Sequence, residues 1–284
     1  MKILLIGKGG QIASEFEELK KEDNEWTFLS KMDLDITKKE SVLSYFRSES
    51  YKIVINCSGF TSVDNAEDQK QQAYEVNEKG VKNLVQACKE SNCKLIQFST
   101  DYVFDGESNL PYKESDSTSP INIYGKSKQA GEKGILNSNL ESLIIRSSWV
   151  YSCFGNNFVK TILRLGKEKK TLEIVNDQIG TPTYARDLVE ASLSIINNIN
   201  YKWKKGGEIL HYSNEGVCSW YDFAIEIFRL KGFKIEIKPK NSEEFGAKAK
   251  RPRYSVLDKS KIKFNFKIQI PTWEESLLKM IKQL

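Results

Sequence analysis

Short apolar runs alternate with longer stretches of helical periodicity through the first half of the chain. The runs predict strands at residues 3–6, 26–29, 53–56, 95–99 and 143–146, and the stretches between them predict helices near 11–21, 38–47, 71–91 and 124–137. This alternation is typical of β-α-β units. We therefore predict an α/β fold built on a doubly wound parallel sheet. Because crossovers are right-handed, the strand C-terminal ends should share one ligand-binding edge.

The pattern loosens after Trp149. Loops rich in Gly, Asn and Pro, at 154–157 and 177–183, separate shorter elements, among them a predicted helix at 220–231. Loop residues of this kind interrupt long regular elements. We therefore expect a first domain over residues 1–150, to which a helix near 184–198 returns, and a smaller C-terminal α/β lobe over residues 151–284.

Composition narrows the classes of protein that fit this pattern. Hydrophobic residues make up 39% and charged residues 29% of the 284 residues, which is typical of a globular protein and not of a disordered or fibrous one. The formal charge of +5 is spread along the chain, so no basic block indicates a nucleic-acid partner. A modest positive balance suits an anionic small substrate, although a solvated lysine-rich surface explains it as well.

The number and spacing of the cysteines indicate the cellular compartment of the protein. The five cysteines are Cys57, Cys88, Cys93, Cys153 and Cys218, an odd number without a C-x-x-C pair. They indicate neither a disulfide framework nor a zinc site, and free thiols predict a reducing cytosol. No apolar run reaches the roughly 18 residues of a membrane-spanning helix. We expect a cytoplasmic protein without a membrane or nucleic-acid partner.

A glycine loop follows the first predicted strand. Gly7 and Gly10 belong to a G-x-x-G-x-x-A pattern that ends at Ala13 and enters a helix. Glycine lets the backbone approach a pyrophosphate, and the free N–H groups and dipole of a helix N-terminus favour its charge. Glycine turns after strands are frequent, but this position between strand and helix predicts a dinucleotide site. The fold is then Rossmann-type, with residues 1–150 binding the dinucleotide and residues 151–284 mostly binding substrate.

The end of the second predicted strand bears on the choice of cofactor. Ser30 and Lys31 stand where many NAD-binding proteins carry an acid for the adenosine ribose, and no acid follows until Asp33. A hydroxyl and a cation favour a 2′-phosphate, so we predict NADPH, with NADH as the alternative. A lysine that merely faces solvent is the competing interpretation.

Three residues predict proton transfer beside this dinucleotide site. Tyr124 and Lys128 are four residues apart in a predicted helix, so their side chains lie on one face. The ordinary tyrosine pKa of ~10 suits acid–base work at neutral pH poorly, but a nearby ammonium lowers it. Thr100, at the end of the fourth strand, can donate a hydrogen bond to a substrate carbonyl. Alone, the tyrosine–lysine pair could be an ordinary surface pair on a helix, and the threonine could satisfy a local turn. Their order and spacing after a glycine loop predict a reductase.

Further motifs carry a resemblance to a known family. They are Gly7-x-x-Gly10-Gln11-Ile12, Asp35-Ile36-Thr37, Thr61-x-Val63-Asp64-x-Ala66-Glu67, Ser99-Thr-Asp-Tyr-Val-Phe104, Arg146-x-Ser148-Trp149-Val-Tyr151, Asn156-Asn157-Phe158-Val159, Asp177-Gln178-x-Gly180-x-Pro182-Thr183, Ser219-Trp220-x-x-Phe223-Ala224 and Arg251-Pro252-x-x-Ser255. Through nearly its whole length the chain resembles the extended short-chain dehydrogenase/reductase superfamily, and within it the dTDP-4-dehydrorhamnose reductase family.

The resemblance implies a two-lobed enzyme that reduces the 4-keto group of a nucleotide-linked 6-deoxyhexose. It implies that Thr100, Tyr124 and Lys128 are catalytic, with Tyr124 protonating the new alkoxide and Lys128 also contacting the nicotinamide ribose. The cofactor-binding residues it implies are Gly7, Gly10, Gln11 and Ile12 at the pyrophosphate, Asp35 and Ile36 at the adenosine end, and Ser58, Gly59 and Thr61 at the centre. The substrate-binding residues it implies are Val63, Asp101, Tyr102 and Trp149.

The chain departs from the family pattern at two places. Ala13 replaces a usual third glycine, and 56–60 reads Asn-Cys-Ser-Gly-Phe where small alanines and a tyrosine are usual, so the sugar or nucleotide can differ. Some relatives dimerise around magnesium held by glutamates, and Glu15 lies where one such ligand would. A glutamate in a first helical turn is also favoured by the helix dipole. We predict no required metal and leave a homodimer open.

The leading hypothesis is NADPH-dependent reduction of dTDP-4-dehydrorhamnose to dTDP-L-rhamnose for cell-surface or spore polysaccharide synthesis. The alternatives are a reductase of a UDP-linked 4-keto-6-deoxysugar, an epimerase or dehydratase, and a non-catalytic dinucleotide-binding regulatory subunit. No glutamate follows Asp101, which disfavours a dehydratase, and the complete triad disfavours a regulatory subunit.

Trp149 is either core packing or a stacking surface for the sugar. His211, the single histidine, is expected to be a strand residue without a catalytic role.

Overall fold

A computed structural model describes residues 1–20 and 22–284. Its strands are β1 Lys2–Ile6, β2 Glu25–Leu29, β3 Ile53–Asn56, β4 Lys94–Thr100, β5 Ser142–Ser147, β6 Val150–Tyr151, β7 Thr171–Val175, β8 Ile179–Gly180, β9 Thr183–Tyr184, β10 Glu208–His211, β11 Cys218–Ser219 and β12 Glu236–Lys240. Its helices are α1 Gln11–Leu19, α2 Lys39–Ser48, α3 Val63–Asp68, α4 Lys70–Tyr74, α5 Val81–Glu90, α6 Ile123–Leu136, α7 Phe158–Glu168, α8 Ala185–Ile196, α9 Trp220–Lys231, α10 Ser242–Phe245, α11 Ser260–Phe266 and α12 Trp273–Ile281.

A six-stranded parallel sheet forms the centre of the fold. Its strand order is β2-β1-β3-β4-β5-β10, with Ile6 of β1 opposite Asn56 of β3 and Thr100 of β4 opposite Ser147 of β5. The strand order reverses between β1 and β3, and ligands of open α/β sheets bind at such a switch point. The prediction of a doubly wound parallel sheet is confirmed.

Alternating side chains bury the two faces of this sheet. Ile3 and Leu5 face one layer, which contains α1, α8 and α11, whereas Leu4 and Ile6 face the other layer, which contains α2, α5 and α6. Apolar residues on both faces of a strand are expected where helices cover a parallel sheet on both sides. Three segments of the second half thus return to this core, α8 and α11 as covering helices and β10 as the edge strand.

A second apolar cluster lies in the C-terminal half. It packs α7, α9 and α12 against the β7-β12 pair. Helix α9 has the predicted bounds, since Ser219 and Asp222 form a capping box at its start and Gly232 ends it in the left-handed conformation. None of the helices in the described ranges is long and apolar enough to cross a membrane.

The predicted helix over 71–91 is divided in the structure. A π-helical turn, Glu75–Gly80, separates α4 from α5. Asn77 in this turn donates to the Phe60 carbonyl and to the Ser127 hydroxyl, so contacts with two distant segments accompany the change of helix type. The predicted end of the first helix at Lys21 lies outside the described residues.

Candidate active site

A cleft of about 880 Å³ opens at the carboxyl edge of the central sheet. The loops after β1, β3, β4 and β5 line it together with the start of α6. The predicted site residues that line it are Gly7, Gly10, Gln11, Ile12, Lys31, Asp35, Ile36, Ser58, Gly59, Thr61, Val63, Thr100, Asp101, Tyr102, Tyr124, Lys128 and Trp149. Residues predicted from separate stretches of sequence therefore meet in one place, and Ser30 is the exception.

The glycine loop fits the close backbone approach that a pyrophosphate needs. Gly7 has φ +103°, and a Cβ there would lie 2.6 Å from the Ser58 nitrogen, so a side chain is excluded. Gly10 precedes α1 in extended conformation, and no side chain caps this helix start. The N–H groups at the start of α1 are consequently free to bind an anion. A dinucleotide phosphate fits this donor set.

The residues predicted to bind the adenosine end of the cofactor differ in one respect from the sequence interpretation. Ser30 does not line the cleft, because its hydroxyl donates to Asp33 at 2.7 Å and its backbone N–H donates to the same carboxylate. An acid therefore folds back to the end of β2, although it stands three positions later in the sequence. Lys31 is exposed and lines the cleft. Asp35 accepts hydrogen bonds from the Thr37 backbone and hydroxyl, which help hold the pKa of Asp35 below its usual value despite burial.

Two buried asparagines hold the loop after β3. Asn56 accepts from the Ser58 hydroxyl at 2.5 Å and donates to Gln97 of β4 at 2.8 Å. Asn77 accepts from the Phe60 N–H at 2.9 Å, which completes its contacts with that residue. These bonds fix the loop that carries Ser58 and Gly59 between the sheet and α6. No motif in the sequence pointed to Asn77.

Thr100, Tyr124 and Lys128 meet where β4 ends and α6 begins. Lys128 Nζ donates to the Phe98 carbonyl at 2.6 Å. The Tyr124 ring packs edge-on against Tyr102, with centroids 5.8 Å apart. Helix α6 approaches this close because Gly125 has no side chain, since a Cβ there would lie 2.1 Å from the Tyr102 carbonyl oxygen. The half-buried tyrosine and lysine thus line the same cleft wall.

The protonation states differ from the sequence expectation. Burial raises the pKa of Tyr124 to about 12, and the contact with the Thr100 hydroxyl offsets only part of that rise. Burial lowers the pKa of Lys128 to about 8, against the carboxylate of Glu132, which raises it. The expected lowering of the Tyr124 pKa by the ammonium is wrong for this structure, because desolvation of the phenol outweighs any charge attraction. Tyr124 is consequently protonated at neutral pH.

A hydrogen bond joins the Thr100 hydroxyl to the Asp101 carboxylate. Thr100 accepts from the Tyr102 N–H and donates to Asp101 Oδ1 at 2.9 Å, so its single hydroxyl hydrogen is already in use. Asp101 is 2% exposed, and its Oδ2 has no hydrogen-bond partner among the described residues. Burial raises the pKa of Asp101 to about 6, although Ser255 and Thr100 lower it. Thr100 can donate a hydrogen bond to a substrate ketone only if its hydroxyl no longer donates to Asp101. That requires either that Asp101 is protonated or that the Thr100 hydroxyl rotates away from it.

An aromatic pair and an arginine also line the cleft. Trp149 has φ +47° and stacks on Trp220 with centroids 3.6 Å apart. Arg251 Nη2 donates to Asp64 Oδ2 at 2.6 Å. Both Trp220 and Arg251 line the cleft and were quoted in motifs without a role. Trp149 both packs against a neighbour and faces the cleft, so its two interpretations are compatible.

The residues around Glu15 do not fit a magnesium ion. Glu15 is buried, accepts from the Ser152 hydroxyl at 2.6 Å and lies 3.8 Å from the Arg186 guanidinium. A cation therefore stands beside the carboxylate where further oxygen ligands would be needed. Within the described residues, no group of three or more His, Cys, Asp or Glu side chains could hold a metal.

His211 lies in β10, as expected for a strand residue. It is fully buried, and burial together with the Arg146 guanidinium lowers its pKa to about 3. The ring is therefore neutral and its Nδ1 lies 3.1 Å from the Tyr112 carbonyl. The five cysteines are free thiols in the structure.

Comparisons with known proteins agree with this geometry. The family model described as the RmlD substrate binding domain matches residues 1–284. A crystal structure of a dTDP-4-dehydrorhamnose reductase from Clostridium acetobutylicum is 41% identical, with a TM-score of 0.94 over 100% of this chain and 99% of that one. The chain belongs to the dTDP-4-dehydrorhamnose reductase family. The resemblance predicted from the motifs is confirmed.

Two further relatives extend the comparison within the family. The reductase of Bacillus anthracis, solved in complex with NADP, is 37% identical with a TM-score of 0.94 and covers 100% of this chain and 99% of its own. The spore coat polysaccharide biosynthesis protein SpsK of Bacillus subtilis is 38% identical over 283 residues, which are 99% of this chain and 97% of the relative. Similarity therefore extends over both halves of the chain.

Proposed function

We propose that this chain is an NADPH-dependent oxidoreductase that reduces the 4-keto group of dTDP-4-dehydrorhamnose to give dTDP-L-rhamnose. The observation that carries the proposal is the convergence of Thr100, Tyr124 and Lys128 on the cleft that begins at the glycine loop. Membership of the reductase family and the NADP complex of the Bacillus anthracis relative support the substrate and cofactor.

The site residues divide the chemistry as follows. Bound NADPH supplies the hydride for C4 of the sugar. The Tyr124 phenol, protonated because its pKa is raised to about 12, gives its proton to the C4 oxygen as charge accumulates there. Thr100 orients that oxygen, and the Lys128 ammonium favours the phenolate that remains. A raised phenol pKa suits this direction, since a reductase needs the protonated form.

The cofactor residues are proposed on their position in the cleft. Gly7, Gly10, Gln11 and Ile12 would hold the pyrophosphate, and Asp35, Ile36 and Lys31 the adenosine end, with Ser58, Gly59 and Thr61 at the centre. Ser30 would act indirectly, because it anchors Asp33. Val63, Asp101, Tyr102 and Trp149 would contact the sugar nucleotide.

The test is turnover with defined substrates. Purified protein should consume NADPH in step with dTDP-4-dehydrorhamnose, followed by nicotinamide absorbance and product analysis. Tyr124→Phe should lower kcat by about 10² to 10⁴-fold and leave NADPH affinity nearly unchanged. Tyr221→Phe, which alters a half-buried tyrosine of α9, is the matched control and should keep full activity.

The same assay separates the alternatives. Faster turnover of a UDP-linked 4-keto-6-deoxysugar would show that the substrate is a UDP-linked sugar and not a dTDP-linked one. NADPH binding without consumption would favour a regulatory subunit, and sugar conversion without net NADPH loss would favour an epimerase. Near-normal turnover by Tyr124→Phe would refute the proton-donor role. The free cysteines further support a cytoplasmic location, and a homodimer remains a prediction.

A further inference from the structure

A buried ion pair lies one helical turn beyond Lys128. Glu132 of α6 accepts from Arg146 of β5 in a two-pronged contact, at 2.9 Å from Nε to Oε1 and 2.7 Å from Nη2 to Oε2. Each residue is 2% exposed. The proposed reaction does not use either side chain directly, so a buried ion pair between the helix of Tyr124 and Lys128 and strand β5 needs a separate explanation.

Stability alone explains this pair poorly. Removing two charges from water costs several kcal/mol per ion, and buried pairs can often be replaced by apolar residues without loss of stability. Further contacts also fix the orientation of the Glu132 and Arg146 side chains. Glu132 accepts from the Ser99 hydroxyl at 2.5 Å, whereas Arg146 Nη1 lies 3.4 Å from His211 Nε2 and its guanidinium lies over Phe104. The negative end therefore lies toward β4 and the positive end toward β10.

Helix α6 and strand β4 are joined residue by residue at this point. Phe98 accepts from Lys128, Ser99 donates to Glu132, and Thr100 follows in the same strand. Lys128 and Glu132 are four residues apart on α6, a spacing that places both side chains on one face. The charge of Glu132 acts on the Lys128 ammonium and raises its pKa, which burial lowers.

We propose that Glu132, held between Arg146 of β5 and Ser99 of β4, is a positioning residue for the reaction, whose carboxylate acts on the Lys128 ammonium one turn earlier on the same helix. The proposal rests on the proposed function for its catalytic meaning. The titratable groups that face this set are Cys57 after β3, Tyr124 on α6, Arg146 on β5 and His211 on β10. His211 is neutral, and burial raises the pKa of Cys57, so Glu132 supplies the negative charge in this set.

The first measurement is the pKa of Lys128 itself. Competitive labelling with acetic anhydride across a pH series, read by peptide mass spectrometry, reports the amine without requiring turnover. Glu132→Gln should lower the Lys128 pKa by about one unit. Glu132→Asp, which keeps a carboxylate, should restore part of the shift. Failure of the proposed function would leave this result intact, since inactive wild-type protein can still be labelled.

A second variant guards against misfolding. Glu132→Gln leaves Arg146 unpaired, so the double variant Glu132→Gln with Arg146→Gln removes both charges. It should fold, as judged by circular dichroism, and its Lys128 pKa should lie between those of Glu132→Gln and the wild type, because the Arg146 cation, which disfavours a protonated Lys128, is removed as well. Glu208→Gln is the matched control, because Glu208 is also buried and is paired with lysines. It lies at the start of β10, whereas His211, which lies beside Arg146, is at the end of that strand.

Kinetics supply an independent readout. The alkaline limb of kcat/KM should move to lower pH in both Glu132 variants and stay in place in Glu208→Gln. An unchanged Lys128 pKa in a folded variant without the Glu132 carboxylate would overturn the proposal. Loss of folding in both variants would also overturn it, because the pair would then be a structural element.

Discussion

A substitution at Asp101 tests whether the buried carboxylate in the cleft lowers the free energy of unfolding. Its carboxyl group is buried, and one oxygen lacks a partner among the described residues. Asp101→Asn keeps the shape and an oxygen that can accept from Thr100, but removes the charge. The variant should therefore be more stable than the wild type at pH 8, while the proposed reaction is impaired.

The size of the effect follows from the pKa. Burial raises the pKa of Asp101 from 3.8 to about 6, a difference of roughly two units, or about 3 kcal/mol against the ionised form. The new amide also lacks a full set of partners, which reduces the gain to about 1 to 3 kcal/mol. For a chain of this size, that gain should raise Tm by roughly 3 to 8 °C.

The pH dependence gives the sign. Because the pKa is higher in the folded state, the stability that Asp101 contributes is complete below about pH 4 and is lost as pH rises through about 6. Thermal unfolding of both proteins should show a large difference at pH 8 that shrinks toward pH 4. Asp105→Asn is the control of opposite sign, because the Tyr112 hydroxyl lowers the pKa of that carboxyl. A variant no more stable at pH 8, or a constant difference, would refute the reasoning.

Three further predictions concern the cofactor and the catalytic helix. Lys31→Ala should raise KM for NADPH more than KM for NADH, and equal changes would contradict a 2′-phosphate contact. Lys128→Ala should weaken NADPH binding and lower kcat, whereas unchanged binding in a fluorescence titration would argue against a ribose contact. Gly125→Ala should cost about 1 to 3 kcal/mol in denaturant unfolding. Gly134→Ala, where a Cβ meets the flexible Lys82 side chain at 3.2 Å, should be neutral or stabilising.

Local sequence determined the elements and much of the site. Apolar runs predicted the strands of the sheet up to β5. Both faces of β1, β3, β4 and β5 are mostly buried, whereas the edge strand β2 is only half-buried. The G-x-x-G turn required glycine at Gly7 whatever the ligand, since its φ is +103°. The four-residue spacing put Tyr124 and Lys128 on one helix face. These features depend on neighbours within a few residues, which a sequence displays directly.

Tertiary structure decided the features that depend on distant segments. Asn77 bonds to Phe60 and Ser127, so the π turn could not be read from helical periodicity. Strand β10 joins the sheet only after a long excursion of the chain. The pKa of Tyr124 rises because the fold removes its phenol from water, and desolvation has no signature in residue spacing.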